Sequence, residues 1–273
     1  MNFREWPLVF FTLLFQAAAG AAAWAWASAT FAGIDPDGLR PALTIFVPAV
    51  LAAVISLFHL GRPVRAPRSI VNVGRSWLSR EIMFLLIFEA SAAGLVIAEA
   101  AGLDAGLILR PIAALSGLAC VFVMSKIYML PAVPDWNTWR TPAAFFSSVF
   151  VLGGMVATVW ISERDVIFAG RSRIAVLLVL IAAFILNLVF TPRFGLAGRR
   201  ATPLGFRPNP SWPKIFFVRL AVLAAAGIFW LFGILFSEAA AWLDIAALGA
   251  AALSEIIGRL QFYDIPLGLS PRK

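Results

Sequence analysis

The chain has 273 residues, of which 62% are hydrophobic and 13% charged, and its mean hydropathy is +0.91. A soluble domain is about half apolar and about a quarter charged, so this composition excludes an ordinary soluble protein and indicates an integral membrane protein. The net charge of +8 does not indicate nucleic-acid binding. The basic residues lie mainly in loops between apolar runs, where lysine and arginine set membrane topology.

Apolar runs of about 20 residues recur along the chain, and each is long enough to cross a hydrocarbon core of about 30 Å as a helix. The alternating pattern of about ten residues that builds a membrane barrel is absent from the sequence. We therefore predict an all-α integral membrane protein, a bundle of eight transmembrane helices in a single membrane domain, 1–273. The predicted helices are 7–30, 41–60, 80–101, 109–130, 142–161, 173–190, 212–236 and 239–260.

The first predicted helix is compatible with a retained span. Pro7 is tolerated at a helix start, and the apolar stretch that follows exceeds the 7–15 residues of a typical secretory signal core. Pro48 falls inside the second predicted helix, where a kink is expected.

Loop charges predict the orientation of the bundle. With eight helices, the termini and the two most basic loops fall on one side, which the positive-inside rule places in the cytoplasm. The opposite side carries fewer basic residues, partly offset by acids such as Asp35, Asp37 and Asp244. Neither of the two basic loops contains an acid. The first, which ends just before Glu81, holds Arg62, Arg65, Arg68, Arg75 and Arg80, and the second holds Arg193, Arg199, Arg200, Arg207 and Lys214.

Few residues are available as ligands for a metal cofactor. The single cysteine, Cys120, builds no disulfide, zinc site or iron–sulfur cluster and is interpreted as a small buried core residue. Haem held between helices usually needs two axial histidines, and His59 is the only histidine. We therefore expect neither haem nor an iron–sulfur cluster in this chain, and no metal site.

His59 and Glu81 lie at one membrane boundary, at the end of helix two and the start of helix three. An imidazole exchanges protons near neutral pH, and a carboxylate beside it is a proton donor or acceptor. The structural alternatives are an interfacial histidine bonded to a backbone carbonyl, and an acid that favours the N-terminus of a helix dipole with Ser79 as N-cap.

Four further polar or ionisable side chains lie within the predicted spans, where charges are costly. Glu89 follows Glu81 on the same helix face and is expected to be protonated or paired. Glu255 and Arg259 have the i,i+4 spacing that favours a structural ion pair. Tyr128 is on the His59 side, where it either donates a hydrogen bond to a ligand or anchors the aromatic belt.

Several segments are distinctive in their order and spacing: Glu5-Trp6-Pro7-Leu8-Val9-Phe10-Phe11-Thr12, Ser56-Leu57-Phe58-His59-Leu60-Gly61-Arg62-Pro63 with Arg65-Ala66, Leu78-Ser79-Arg80-Glu81-Ile82, Val133-Pro134-Asp135-Trp136, Thr141-Pro142 with Phe145-Phe146, Glu255-Ile256-Ile257-Gly258-Arg259 and Phe262-Tyr263. In these segments the sequence resembles the DmsC-type membrane-anchor subunit of dimethyl sulfoxide reductase, within the molybdopterin oxidoreductases. The resemblance covers nearly the whole chain.

The resemblance implies an eight-helix anchor, in the bacterial cytoplasmic (inner) membrane, without a redox centre of its own. Its implied partners are a four-cluster ferredoxin-like iron–sulfur subunit, a molybdopterin catalytic subunit and membrane lipid. It implies a quinol site (menaquinol or ubiquinol) in which His59 and Glu81 match the family's functional histidine and carboxylate. Arg65 and Tyr128 complete the candidate quinone pocket.

Two alternatives stand beside an anchor that oxidises a quinol or reduces a quinone. One is a purely structural anchor without a quinone site. The other is a secondary transporter, although such folds favour paired repeats and midplane charges, and the sequence has no repeat.

Orientation separates this protein from the family's best-known member, which is usually placed with its catalytic subunits outside the cytoplasm. The loop charges here put the matching side inside. Related anchors with cytoplasmic catalytic subunits include those of sulfite dehydrogenases, so the terminal substrate and the direction of electron flow stay open at this point.

Overall fold

A computed structural model describes residues 6–58, 72–131, 133, 136–161, 166–190, 212–236 and 240–267. Within these ranges all regular secondary structure is helical. Eight helices are long and apolar enough to cross a membrane, which confirms the predicted fold class. They are α1 (Trp6–Ala32), α2 (Leu39–Leu57), α3 (Trp77–Ala101), α4 (Gly106–Tyr128), α5 (Arg140–Ile161), α6 (Val166–Phe190), α7 (Trp212–Leu235) and α8 (Ala240–Leu267).

Successive spans alternate in direction, so α1, α3, α5 and α7 begin on one side of the bundle, and α2, α4, α6 and α8 end there. We call it the N-terminal side. The other side is the opposite side. Pro48 lies inside α2 as expected, and the helix continues through it.

Two predicted helix ends were wrong by seven residues. Helix α6 begins at Val166 instead of residue 173, and Arg173 lies inside the helix because it has polar partners within the bundle. Arg173 pairs with Asp244 of α8 and donates a hydrogen bond to the carbonyl of Gly233 at 2.9 Å. Helix α8 continues to Leu267, past the predicted end at residue 260, and the buried Tyr263 lies within this extension.

The predicted N-cap of α3 was also wrong. Ser76, not Ser79, is the N-cap: its hydroxyl accepts a hydrogen bond from the backbone N–H of Ser79 at 3.3 Å. The helix therefore begins one turn earlier than predicted, and Glu81 is its fifth residue. A carboxylate gains from the helix dipole mainly within the first turn, so the position of Glu81 is not explained by that effect.

Helices α1 and α5 form the centre of the bundle. Helix α1 is the most buried span and packs against α2, α4, α5 and α8. Gly20 of α1 and Gly153 of α5 bring the two backbones together, because a Cβ at either glycine would overlap backbone atoms of the other helix. Small residues that allow such close approach are typical of helix contacts in membranes.

The core consists of two hydrophobic clusters that share this centre. The first contains buried residues of α1 to α5, and the second contains buried residues of α1 and of α5 to α8. Tyr128 and Phe262 pack against both clusters. They therefore mark a seam between the two halves of the bundle on the N-terminal side.

Ion pairs and a hydrogen bond connect the helix ends on the opposite side. Arg110 of α4 binds Asp35 at 2.7 Å and also binds Asp37, both in the connection between α1 and α2. Glu99 of α3 accepts a hydrogen bond from the N–H of Gly38 at 2.7 Å, at the start of α2. These pairs link the first four helices near the membrane surface.

The substitution Gly153→Ala tests the contact between α1 and α5. The added methyl group overlaps the backbone of α1, so we expect thermal unfolding in detergent to show a loss of about 1–3 kcal/mol or more, the usual cost of overpacking. Gly227→Ala in α7 is the matched control, since no atom lies within 4 Å of its added Cβ. It should unfold at or above the wild-type temperature, because alanine favours helix over glycine. Equal stability of both variants would contradict the close contact.

Candidate functional site

The structure describes two of the four predicted site residues. His59 and Arg65 lie outside the described residues, as do most of the arginines of the two basic loops. Glu81 and Tyr128 are described, in α3 and at the end of α4, both on the N-terminal side. Phe58, the residue before His59, is at the end of α2 on that same side.

Glu81 faces the interior of the bundle and is only 9% exposed. None of the described residues donates a hydrogen bond to its carboxylate. The Cys120 thiol lies behind it, 3.5 Å from its backbone carbonyl, and is fully buried as predicted. A buried carboxylate without a donor is costly to ionise, so this group is suited to hold and release a proton.

The sequence has two tyrosines, and they are hydrogen-bonded to each other. The hydroxyl of Tyr263 in α8 donates to the hydroxyl oxygen of Tyr128 at 3.1 Å. This arrangement leaves the hydroxyl proton of Tyr128 available for another acceptor. Glu81 and Tyr128 lie on neighbouring helices, α3 and α4, which pack together. We call Tyr128 and Tyr263 the tyrosine pair; Tyr263 was not among the predicted site residues.

An aromatic frame holds the ring of Tyr128 in place. It consists of Trp136, Phe145 and Phe262, whose ring centroids lie 5.4, 5.7 and 5.4 Å from that of Tyr128. Trp136 stacks on Phe262 with centroids 4.9 Å apart, and its indole N–H donates to the Phe262 carbonyl at 3.0 Å. Aromatic contacts at these distances are favourable, so the hydroxyl of Tyr128 is fixed in position.

Further inside the membrane, five polar side chains form what we call the buried arginine cluster. Ser148 donates to Glu255 at 2.6 Å, and Arg259 donates to Gln16 at 2.9 Å and to Ser148 at 3.3 Å. Arg219 lies 3.7 Å from Glu255. The helices α1, α5, α7 and α8 each supply at least one member; the members are Gln16, Ser148, Arg219, Glu255 and Arg259.

The i,i+4 spacing of Glu255 and Arg259 predicted a direct ion pair, and the structure corrects this. The ion-pair partner of Glu255 among the described residues is Arg219 of α7, and Arg259 reaches Glu255 through the hydroxyl of Ser148. The guanidinium of Arg259 is instead drawn over the Phe145 ring, 3.7 Å from its centroid, a cation–π contact.

Gly258 makes room for this arrangement. A Cβ at this position would collide with the guanidinium of Arg219, which passes over the backbone of α8. The segment Glu255–Arg259 therefore supplies the carboxylate and the guanidinium of the cluster, and its glycine leaves the space that the Arg219 side chain occupies. The same segment carries part of the resemblance described above.

Glu89 lies two turns beyond Glu81 in α3, near the middle of the span. Both of its carboxylate oxygens are buried and accept no hydrogen bond in the described part of the protein. A charged carboxylate in this position would be unpaired and expensive. Of the two alternatives predicted for Glu89, the protonated form fits these surroundings.

Comparison with known proteins decides the family. The family model described as DMSO reductase anchor subunit (DmsC) matches residues 1–265. The chain belongs to this DMSO reductase anchor subunit family. No solved structure matches it.

Curated relatives of this anchor family include three proteins named as chains of anaerobic dimethyl sulfoxide reductase. The relative from Haemophilus influenzae is 34% identical over 161 residues, which make up 55% of the present sequence and 56% of the relative. The YnfH protein of Escherichia coli is 34% identical over 175 residues, 61% of each sequence. A second Escherichia coli relative is 27% identical over 173 residues, 60% of each sequence. The matches thus span less than two thirds of the length of these relatives.

The substitution Trp136→Phe tests the aromatic frame. Phenylalanine keeps a ring against Phe262 but removes the indole N–H, so the carbonyl of Phe262 loses its partner. Leaving a buried acceptor unsatisfied costs about 1–3 kcal/mol, and thermal unfolding in detergent should show a loss in that range. Trp242→Phe is the control because Trp242 is 61% exposed. A frame that tolerates both substitutions equally would not depend on this hydrogen bond.

Proposed function

We propose that this protein is the quinol-oxidising membrane anchor of a three-subunit molybdopterin oxidoreductase of the dimethyl sulfoxide reductase type. Its partners are a four-cluster ferredoxin-like iron–sulfur subunit and a molybdopterin catalytic subunit. A menaquinol or ubiquinol gives two electrons to the iron–sulfur subunit and releases two protons. The terminal substrate is reduced in the catalytic subunit, away from this anchor.

One observation carries the proposal. Glu81 is a buried carboxylate with no hydrogen-bond donor among the described residues, and its helix packs against the helix that carries the fixed hydroxyl of Tyr128. The two residues place a proton acceptor and a hydroxyl on neighbouring helices on the N-terminal side. The two oxygens of a quinol ring need partners of these kinds.

His59 is proposed to hydrogen-bond one ring oxygen of the quinol. Its imidazole can donate to that oxygen and exchange a proton when the ring changes its redox state. Arg65 is proposed to complete the pocket. Both roles come from the family resemblance, and Glu81 and Tyr128 supply the described part of the pocket.

The surface near Glu81 is suitable for a lipid-soluble ligand. The end of α2 and the start of α3 expose large apolar side chains, with Phe58 78%, Leu57 50% and Leu78 50% exposed. Such residues are compatible with lipid and with the isoprenoid tail of a quinol. The quinol is proposed to enter laterally from the membrane, between α2, α3 and α4.

The family relationship supports the choice of partners. The curated relatives are named as chains of anaerobic dimethyl sulfoxide reductase, an enzyme that must receive electrons in order to reduce its substrate. A membrane anchor without its own redox centre supplies them by oxidising a quinol beside the partner's nearest iron–sulfur cluster.

The substitution Glu81→Gln is the central test. Glutamine keeps the size of the side chain but does not accept the proton, so quinol-driven turnover of the complex in membranes should fall about a hundredfold, the lower end of the usual effect of a catalytic acid or base. Turnover driven by a reduced viologen dye, which bypasses the anchor, should not change. Glu99→Gln in the same helix is the control, and it should retain both activities.

A purely structural anchor makes a different prediction for the same variants. Equal loss of quinol-driven and dye-driven turnover in Glu81→Gln would assign Glu81 a structural role. Unchanged turnover in both assays would remove it from the quinol site. Binding of a quinone analogue, followed by fluorescence quenching, should weaken in Glu81→Gln and not in Glu99→Gln.

The loop charges lead us to propose that both termini and the N-terminal side face the cytoplasm of a bacterial inner membrane. Single cysteines in a Cys120→Ser background test this orientation. Leu103→Cys, in the exposed connection between α3 and α4, should react with a membrane-impermeant maleimide in intact cells whose outer membrane is permeable to it. Leu130→Cys, also exposed but on the N-terminal side, should react only after lysis. The reverse pattern would place the N-terminal side outside.

A further inference from the structure

The buried arginine cluster has more polar atoms than its internal hydrogen bonds satisfy. Gln16 Nε2, Glu255 Oε1, Arg219 Nε and Arg259 Nε are buried and have no hydrogen-bond partner among the described residues. Gln16, Glu255 and Arg259 are 0%, 3% and 4% exposed. Buried polar groups that lack a hydrogen-bond partner in the protein are usually hydrogen-bonded to internal water, and one water molecule often bridges several of them.

The cluster also lies directly behind the tyrosine pair. Tyr263 and Arg259 are four residues apart in α8 and share one helix face. The guanidinium of Arg259 lies over the Phe145 ring, and the same ring contacts that of Tyr128. Phe145 therefore touches both the buried arginine cluster and the tyrosine pair.

We propose that the tyrosine pair and the buried arginine cluster form an internal proton relay, and that Glu255 is its proton-holding site. The relay contains water bound by Gln16 and Arg259. It rests on the proposed function, since its proton comes from the quinol beside Glu81 and Tyr128.

The first part of the relay is the tyrosine pair. Tyr128 and Tyr263 are 3.1 Å apart at their hydroxyl oxygens. Hydroxyl hydrogens rotate about the C–O bond, so the pair passes a proton in either direction. Tyr128 accepts a proton from a quinol oxygen while its own proton moves to Tyr263, and no tyrosinate accumulates.

The second part joins Tyr263 to Glu255. Water at the open Nε of Arg259 and the open amide nitrogen of Gln16 accepts the proton from Tyr263. The hydroxyl of Ser148, which already donates to Glu255 at 2.6 Å, passes it on. Arg259 does not itself change protonation; it holds the water and the serine oxygen in line.

Glu255 is buried, and its carboxylate accepts a hydrogen bond from Ser148 and lies 3.7 Å from Arg219. Its Oε1 atom has no hydrogen-bond partner among the described residues, and this is the atom that takes the proton. Arg219 is the member of this pair that reaches the surface, with 14% of its side chain exposed against 5% for Glu255. The proton leaves past Arg219 after the quinone has departed.

The two protons of the quinol then have separate routes. Oxidation of one quinol to quinone releases two electrons, which pass to the partner's iron–sulfur carrier, and two protons. Glu81 takes one proton towards the N-terminal surface, and the tyrosine pair takes the other inwards to Glu255. Two routes prevent one carboxylate from having to accept both protons in succession.

Three substitutions test the relay in the complete complex in native membranes: Tyr263→Phe, Ser148→Ala and Glu255→Gln. Each removes one proton-transferring group and keeps nearly the same volume. Quinol-driven turnover should fall about tenfold or more in each, as expected when a proton-transfer group is lost, with dye-driven turnover unchanged. Asp104→Asn is the control: it neutralises an exposed carboxylate on the opposite side, and both of its activities should equal those of the wild type.

Infrared difference spectra supply a readout that a structural role would not change. Quinol oxidation should add the C=O stretches of newly protonated carboxyl groups, shifted in D2O, and the component that belongs to Glu255 should be missing in Glu255→Gln and present in Asp104→Asn. A spectrum of Glu255→Gln identical to that of the wild type would overturn the relay, as would wild-type quinol turnover in Tyr263→Phe and Ser148→Ala. Those two variants decide the question if Glu255→Gln does not assemble. If Glu81→Gln keeps full quinol turnover as well, the proposed quinol site itself has failed.

Discussion

The charges of α8 determine how the rest of the bundle is arranged. Charged groups inside a membrane are costly unless they are paired, and α8 carries Asp244, Glu255 and Arg259 at three depths. Each is matched from another helix, by Arg173 of α6, by Arg219 of α7 and by polar groups of α1 and α5. These matches fix the rotation of α8 and its height, and therefore the position of Tyr263 one turn beyond Arg259.

The position of Tyr263 in turn determines the candidate site. Tyr128 comes from the first half of the bundle and Tyr263 from the second, and their hydroxyls meet at the seam between the two hydrophobic clusters. The seam is held together by the contact of Gly20 with Gly153 at the centre and by the aromatic frame near the surface. Because the polar site lies between the two hydrophobic clusters, each cluster stays apolar, and the packing on both sides holds the site in place.

Much of the fold could be predicted from the sequence, because length and apolarity alone identify spans. The errors at α6 and α8 lie at helix ends that continue past the predicted limits and contain polar residues. Arg173 lies inside a helix since Asp244, 71 residues later, neutralises it, and such pairing between distant segments is not visible in a local pattern. The same holds for Glu255, whose ion-pair partner is Arg219 and not the residue one turn away.

The site was predictable only in part, and for a similar reason. Glu81 and Tyr128 were found because each is a polar residue near a membrane boundary. Tyr263 had the same signal: the sequence has two tyrosines, both near the ends of spans that finish on the N-terminal side. The predicted end of α8 at residue 260 left Tyr263 outside the bundle, where a hydrogen bond to Tyr128 could not be anticipated.

The two sides of the bundle use polar residues in different ways. On the opposite side, Arg110 and Glu99 bind partners in adjacent connections, near the surface, and these bonds hold helix ends together. On the N-terminal side, polar groups lie at Glu81, in the tyrosine pair and, further inwards, in the buried arginine cluster, and they include hydroxyls, a carboxylate without a donor among the described residues and several nitrogen atoms without a partner there. Anchoring alone needs matched pairs at the surface. Polar groups kept at several depths of the bundle, at a cost, fit the proton transfer proposed for this side of the protein.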